Sequence, residues 1–338
     1  MSMKTKFKDE KHQIVKSHDL ARLVRLLRKY YNTQVPNNGD LGKTREAIRS
    51  FLITTAFENV MTVGSSSYVI FSDNLDKEFG VRVLKDESVA LTFTSPPYWN
   101  FIDYAGSEGV GYEDSYKQYL NSLSKIFRAI AKKTMPGGRM VVNASNMKSR
   151  KSVEGESFVY PIVSDIIGLA KRAGFTFFDE IIWVKGGANA GALKGRVLFG
   201  SYPYPPTPKI LDSIFENIVV FTKPGKRRKV DKEVKDRSQI TKDEWRDFTK
   251  GIWEIPPDRN PDHPATFPME VAERIVRMYS FADDVVLDPF AGSGTTLIAA
   301  DKHNRRGIGF EIARDYEEAI KNKEAECLQQ LRLPLTNP

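Results

Sequence analysis

Asp284-Val285-Val286-Leu287-Asp288-Pro289-Phe290-Ala291-Gly292-Ser293-Gly294-Thr295-Thr296 reads as a strand, a tight turn and the start of a helix. Val285-Val286-Leu287 is a short β-branched and apolar run, and Pro289 stops its pairing. Gly292 and Gly294 permit the turn and let the backbone approach a ligand closely. The helix predicted from about Thr295 continues through Leu297, Ile298, Ala299 and Ala300. Its first N–H groups have no partner within the helix. A second strand, Gly307-Ile308-Gly309-Phe310-Glu311, ends in a carboxylate about 20 residues beyond Asp288, the spacing at which such units place an acid on ribose hydroxyls. A Gly-rich turn that holds no ligand would fit these residues equally well, since one motif alone is weak.

Working outward, strands and helices alternate. Tyr68-Val69-Ile70-Phe71 and Ser88-Val89-Ala90-Leu91-Thr92-Phe93 read as strands, as do Met140 to Asn143, Phe178 to Val184 and Asn217 to Thr222. Helices are expected from about Ser115 to Lys133, Tyr160 to Ala173 before Gly174, Met269 to Tyr279, and Tyr316 to Leu331. Pro136-Gly137-Gly138-Arg139 reads as a turn. The alternation predicts an α/β fold with a doubly wound, mostly parallel sheet. Residues 1–60 read as an N-terminal helical extension whose arginines are either a solvated face or a contact to DNA phosphates. Residues 61–338 form the main domain, with a loop and basic insertion at about 186–250 that includes Lys226-Arg227-Arg228-Lys229. That charge run is a solvated linker or a phosphate contact.

The strand through Phe93 runs into Thr94-Ser95-Pro96-Pro97-Tyr98-Trp99-Asn100. Two prolines fix φ and remove two N–H donors, so a stiff loop leaves the carboxyl end of that strand, where open α/β sheets bind ligands. The loop offers the Ser95 hydroxyl and the Pro96 carbonyl as acceptors and Tyr98 as an aromatic face. Two acceptors at fixed spacing can hold both hydrogens of an exocyclic amino group. A double proline that merely ends a strand fits the same residues.

Ser95-Pro96-Pro97-Tyr98 resembles the catalytic motif of the amino-group DNA methyltransferases, in its serine, cytosine-N4 form. Asp288 to Thr296 resembles the S-adenosylmethionine motif of the same enzymes. The catalytic motif precedes the cofactor motif, the circularly permuted order of the beta group. The resemblance implies a Rossmann-like methyltransferase fold, S-adenosylmethionine as cofactor and double-stranded DNA as substrate. It implies cytosine N4 as the methyl acceptor, on a base drawn out of the stack, and a possible companion restriction endonuclease. Adenine N6 is the alternative base, RNA an alternative substrate, and a non-catalytic nucleic-acid-binding protein the alternative of another class.

By the same resemblance Ser95, Pro96, Pro97 and Tyr98 are the catalytic set. Asp288, Pro289, Phe290, Gly292, Ser293, Gly294, Thr295 and Glu311 hold the cofactor, joined by Asp73, Thr266 and Phe267. Asp73 also suits a helix N-cap, and Pro268 at a helix start explains itself structurally. Trp183, at a strand end, is a candidate to stack on the extruded base, although a strand tryptophan also suits a core. Tyr104 is the other candidate at the substrate edge.

Composition agrees with this assignment. The chain has 338 residues and a formal charge of +8, which favours a polyanionic partner. Cys327 is the single cysteine, so no internal disulfide and no cysteine adduct are expected. The four histidines lack metal-ligand spacing, so no metal is expected. No stretch suits a signal peptide or a membrane span, and a cytoplasmic location is expected.

Overall fold

Val285-Val286-Leu287 is buried and flanked by parallel partners on both sides. This is the environment for which a continuous β-branched run is suited. The computed structural model describes residues 60–75, 80–99, 110–111, 114–149, 154–156, 158–186, 214–258 and 267–332. The expected helical extension, Tyr104, Thr266 and most of the long loop after Lys185 lie outside these residues.

The strands are β1 (Val60–Val63), β2 (Ser67–Phe71), β3 (Val89–Thr94), β4 (Thr134–Ala144), β5 (Met147–Lys148), β6 (Val159–Tyr160), β7 (Thr176–Val184), β8 (Phe215–Thr222), β9 (Ile252–Glu254), β10 (Val285–Asp288) and β11 (Arg306–Glu311). Among the described residues nine of them form one sheet, in the order β1-β2-β11-β10-β3-β4-β8-β7-β9, and β5 pairs with β6 separately. From β2 to β4 every pairing is parallel. β8 runs antiparallel to both β4 and β7, and β1 antiparallel to β2. The sheet is therefore mixed but mostly parallel in its central part, as expected.

Helices cover both faces. On one, α1 (Tyr116–Lys133) and α2 (Ile162–Arg172) pack their apolar sides on Met140, Val142, Val219 and Phe221. On the other, α5 (Met269–Tyr279) packs on Leu91, Phe93, Val141 and Val220. Successive residues of β4 thus feed opposite cores, which is the period of two of a strand buried on both faces. α6 (Thr295–Lys302) follows β10, and α7 (Tyr316–Arg332) closes the described chain. Ser115 caps α1 through a reciprocal capping box with Gln118, and Gly174 follows α2 at φ +102°.

Two expectations need correction. Pro136 to Arg139 is not a turn between elements: it lies inside β4. Val89 pairs with Thr134 and Leu91 with Arg139, so the strand bulges there and resumes. Gly137, at φ +72°, donates its N–H to Lys223, and Lys223 donates back to Gly138 (both 2.9 Å). The basic run is not a free linker either. Arg227 and Arg228 both pair with buried Asp284, at 2.9 and 2.7 Å, and Arg237 pairs with Asp283. These acids precede β10, at the sheet edge opposite Asp288, so Arg227 and Arg228 neutralise the buried charge of Asp284. Two short helices, α3 (Lys232–Arg237) and α4 (Lys242–Phe248), complete this segment.

Candidate active site

β3 and β10 are neighbours and parallel, so their carboxyl ends emerge side by side. The Thr94 hydroxyl donates to Asp288 Oδ1 at 2.7 Å, and the Phe290 N–H donates to the same oxygen at 3.1 Å. The Ser-Pro-Pro-Tyr loop and the Gly-rich loop therefore leave the sheet tied to one carboxylate. Asp288 is 2% exposed, and burial pushes its carboxyl up to about 7.

The Gly-rich loop folds back on β11. Ala291 donates its N–H to Phe310, and Gly292 donates to Glu311 Oε2 at 2.7 Å. Glu311 also accepts from the Ala313 N–H, and burial raises its carboxyl above the usual range. Gly294 caps α6 at φ +74°, where a Cβ would also stand 3.1 Å from Ile320 Cγ2, so the position suits glycine alone. Ser293 and Thr295 hydroxyls lie 3.2 Å apart at the helix start. Pro289 is held through its carbonyl by the Asn74 amide at 2.9 Å. Asp73 is exposed and accepts from the Leu75 N–H in a local turn.

The other loop is held from behind. Trp99 has φ +37°, is buried, and donates its indole N–H to Asp114 at 2.8 Å. The Pro97 carbonyl accepts from the Trp99 N–H and from the Tyr119 hydroxyl, at 2.8 and 2.9 Å. Burial pushes the Tyr119 phenol upward, which keeps it a donor. Ser95, Pro97 and Tyr98 remain half-buried at the edge. Among the described residues, neither the Ser95 hydroxyl nor the Pro96 carbonyl has a hydrogen-bond partner. Both acceptors of the sequence argument are thus available.

The site now has the two motifs, in contact, at the carboxyl edge of a parallel sheet. Residues 89–322 match the family profile described as DNA methylase, which spans N6 and N4 enzymes. The chain belongs to this DNA methylase family. It is 31% identical to Type II methyltransferase M.MjaI of Methanocaldococcus jannaschii, over 71% of this chain and 86% of that protein. It is 30% identical to Type II methyltransferase M.MthZI of Methanothermobacter thermautotrophicus, over 73% and 74%. Among solved structures, a putative DNA modification methylase of Thermus thermophilus, TTHA0409, in complex with S-adenosyl-L-methionine, matches with a TM-score of 0.59 at 34% identity, covering 73% of this chain and 89% of that one. PvuII DNA methyltransferase, cytosine-N4-specific, shares the fold with a TM-score of 0.54 at 19% identity, over 80% and 93%.

In this DNA methylase the structure encloses Trp183, the ring that sequence offered for the base. It is 1% exposed, its indole N–H donates to the Ile255 carbonyl at 2.8 Å, and it pairs in register with buried Trp253. A ring enclosed in the core has no face for a base. Phe267 is also largely enclosed, its ring 4.7 Å from that of Phe93 beneath the Ser95 loop. Sequence reasoning missed Asn74, Trp99 and Tyr119. Asn74 stands beside Asp73, but its partner Pro289 lies 215 residues away, and Trp99 stands within the quoted loop, held by Asp114 beyond it.

Proposed function

We propose that the protein methylates the exocyclic N4 of cytosine in double-stranded DNA, using S-adenosylmethionine, with Ser95, Pro96, Pro97 and Tyr98 acting on the base. The observation that carries this reading is the Ser95 loop leaving β3 beside the Asp288 loop, joined by the Thr94–Asp288 hydrogen bond. The serine form of the motif favours cytosine over adenine.

The residues present fit the cofactor. Gly292 and Gly294 at positive φ let backbone approach closely, α6 begins at that point, and the buried acids Asp288 and Glu311 end the two strands. Asp288, Pro289, Phe290, Gly292, Ser293, Gly294 and Thr295 would hold the methionine part. Glu311 would take the ribose hydroxyls with the lone pairs that Gly292 and Ala313 leave unused. Asp73 and Phe267 border this site by resemblance alone. When bound, the cofactor supplies an electrophilic methyl group on a sulfonium.

The chain's own residues do the rest. Ser95 Oγ and the Pro96 carbonyl accept the amino hydrogens, turning the nitrogen lone pair out of the base ring. Tyr98 stacks on the base and favours the positive charge that develops on nitrogen. The prolines and the Tyr119 hydroxyl fix the loop, so positioning supplies most of the rate. The methylated nitrogen then sheds a proton to solvent. By the same resemblance, a companion restriction endonuclease would share the recognition site.

Product identity tests this. Duplex DNA of mixed sequence is incubated with the protein and isotopically labelled S-adenosylmethionine, then digested to nucleosides for mass spectrometry. Label on cytosine N4 is expected; label on adenine N6 would overturn the base assignment. Ser95→Ala should lower turnover by about 100-fold with cofactor affinity retained, because only an acceptor for the base is removed.

A further inference from the structure

The β5–β6 hairpin stands next to the catalytic loop. β4 ends at Ala144, and β5 begins three residues on, at the carboxyl edge where Ser95 emerges. β6 returns antiparallel, with Met147 opposite Tyr160 and Lys148 opposite Val159. Its entry is firmly held. Ser149 donates its N–H to Phe158, the Phe158 N–H donates to Ser149 Oγ (2.8 Å), and Ser149 Oγ donates to the Glu156 carbonyl. The hairpin presents apolar side chains outward: Phe158 is 38% exposed and Val159 51%.

From Phe158 a run of rings leads inward. Phe158 lies 4.7 Å from Tyr160, and Tyr160 lies 4.6 Å from Trp99 and 4.7 Å from Tyr116. Trp99 adjoins Tyr98 in the chain, and its N–H holds the Pro97 carbonyl. An exposed aromatic thus sits two ring contacts from the residues that would grip the base, on a hydrogen-bonded hairpin. An apolar side chain left in water at the mouth of a DNA methylase site has one ready occupant. A base pulled from the duplex leaves a gap between its neighbours, and apolar wedges commonly fill or open such gaps.

We propose that Phe158, beside the hydrogen-bonded β5–β6 pair and backed by the edge-to-face Tyr160–Trp99 contact, enters the duplex beside the target and supports the stack from which the base is drawn. The partner is double-stranded DNA, and the inference rests on the reading that the Ser95 loop receives the base. It assigns a DNA-contacting element outside both sequence motifs and outside the basic segment 226–229.

The test uses the full chain, S-adenosylmethionine, and a duplex carrying the site that the wild-type protein methylates. A second duplex places an abasic residue opposite the target, so that extrusion is already cheap. Single-turnover methyl transfer is measured for wild type, Phe158→Ala and Phe158→Trp. The alanine variant should be slower by about tenfold or more on the paired duplex and within about threefold of wild type on the abasic one. The tryptophan variant should retain the wild-type rate on both. S-adenosylmethionine affinity should not change. An alanine variant as fast as wild type on paired DNA, or equally slow on both duplexes, overturns the proposal. Should the alanine variant not fold, Phe158→Gln is read in the same way. Ser95→Ala is run alongside: full activity in that variant would sink the base-holding reading, while the Phe158 ratio between the two duplexes remains readable.

Discussion

At the scale of single residues, burial decides which aromatic rings can serve a substrate. Trp183 and Tyr98 both lie close to strand ends, yet one is enclosed and the other half-exposed. Trp183 donates to Ile255 across the β7–β9 edge, and its removal would leave a buried carbonyl unpaired. Trp183→Phe is therefore expected to cost about 2 kcal/mol of stability in urea denaturation, with turnover of the folded variant close to wild type. A folded variant with turnover reduced tenfold would return the ring to the base site. The sequence showed Trp183 at a strand end, but not which neighbours close over it. β9 lies beside β7 only because of the path of the chain between them.

At the scale of elements, the central fact is the join between β3 and β10. Thr94 is the last residue of one strand and Asp288 the last of the other. Their hydrogen bond fixes how far each loop projects beyond the sheet. A methyl donor and an amino nitrogen held by different loops must meet in line, so a small shift between strand ends is costly in rate. Thr94→Val, which keeps shape and loses the donor, should lower the methyl-transfer rate by about tenfold while cofactor binding persists. Thr94→Ser should restore most of it. Single-turnover rates for both variants check this, and a serine variant no better than valine would make packing, not the hydroxyl, the cause. Neither motif indicates this bond, because each is local. The capping boxes Ser115–Gln118 and Thr241–Glu244, by contrast, were present in the sequence as local spacings. The first helix was expected and the second, short helix was not.

At the scale of the whole molecule, buried acids make stability depend on pH. Asp288 titrates near 7 when folded and at about 4 when unfolded. Its folded value is raised, so its contribution to stability is fully present below about pH 4 and lost as pH rises through about 7. The groups facing it are the Thr94 and Thr296 hydroxyls and the Phe290 N–H, which oppose the rise, and Glu311, which adds to it. Thermal denaturation between about pH 4.5 and 8, followed in wild type and Asp288→Asn, should show a Tm that falls less steeply in the variant over that window. Identical slopes would place the titration elsewhere. The charge of +8 acts at this scale too, but three of its arginines, Arg227, Arg228 and Arg237, are paired with Asp283 and Asp284. Overall charge is therefore a poor guide to where DNA lies.

The sequence by itself determined the local units: apolar runs became strands, the prolines and glycines became the two loops, and 3.6-residue periodicity became the helices. Those features depend on interactions within a few residues, which composition and spacing encode directly. The same holds for the cofactor turn, where Gly292 and Gly294 take positive φ as their residue type allows. Only the tertiary structure decided what stands next to what. Thr94 meets Asp288 194 residues away, Asn74 meets Pro289 215 residues away, and two arginines of an apparent linker close on Asp284. Such contacts follow from strand order and from which face each helix covers. Many strand orders would bury the same apolar runs equally well, so hydrophobic pattern alone leaves that choice open.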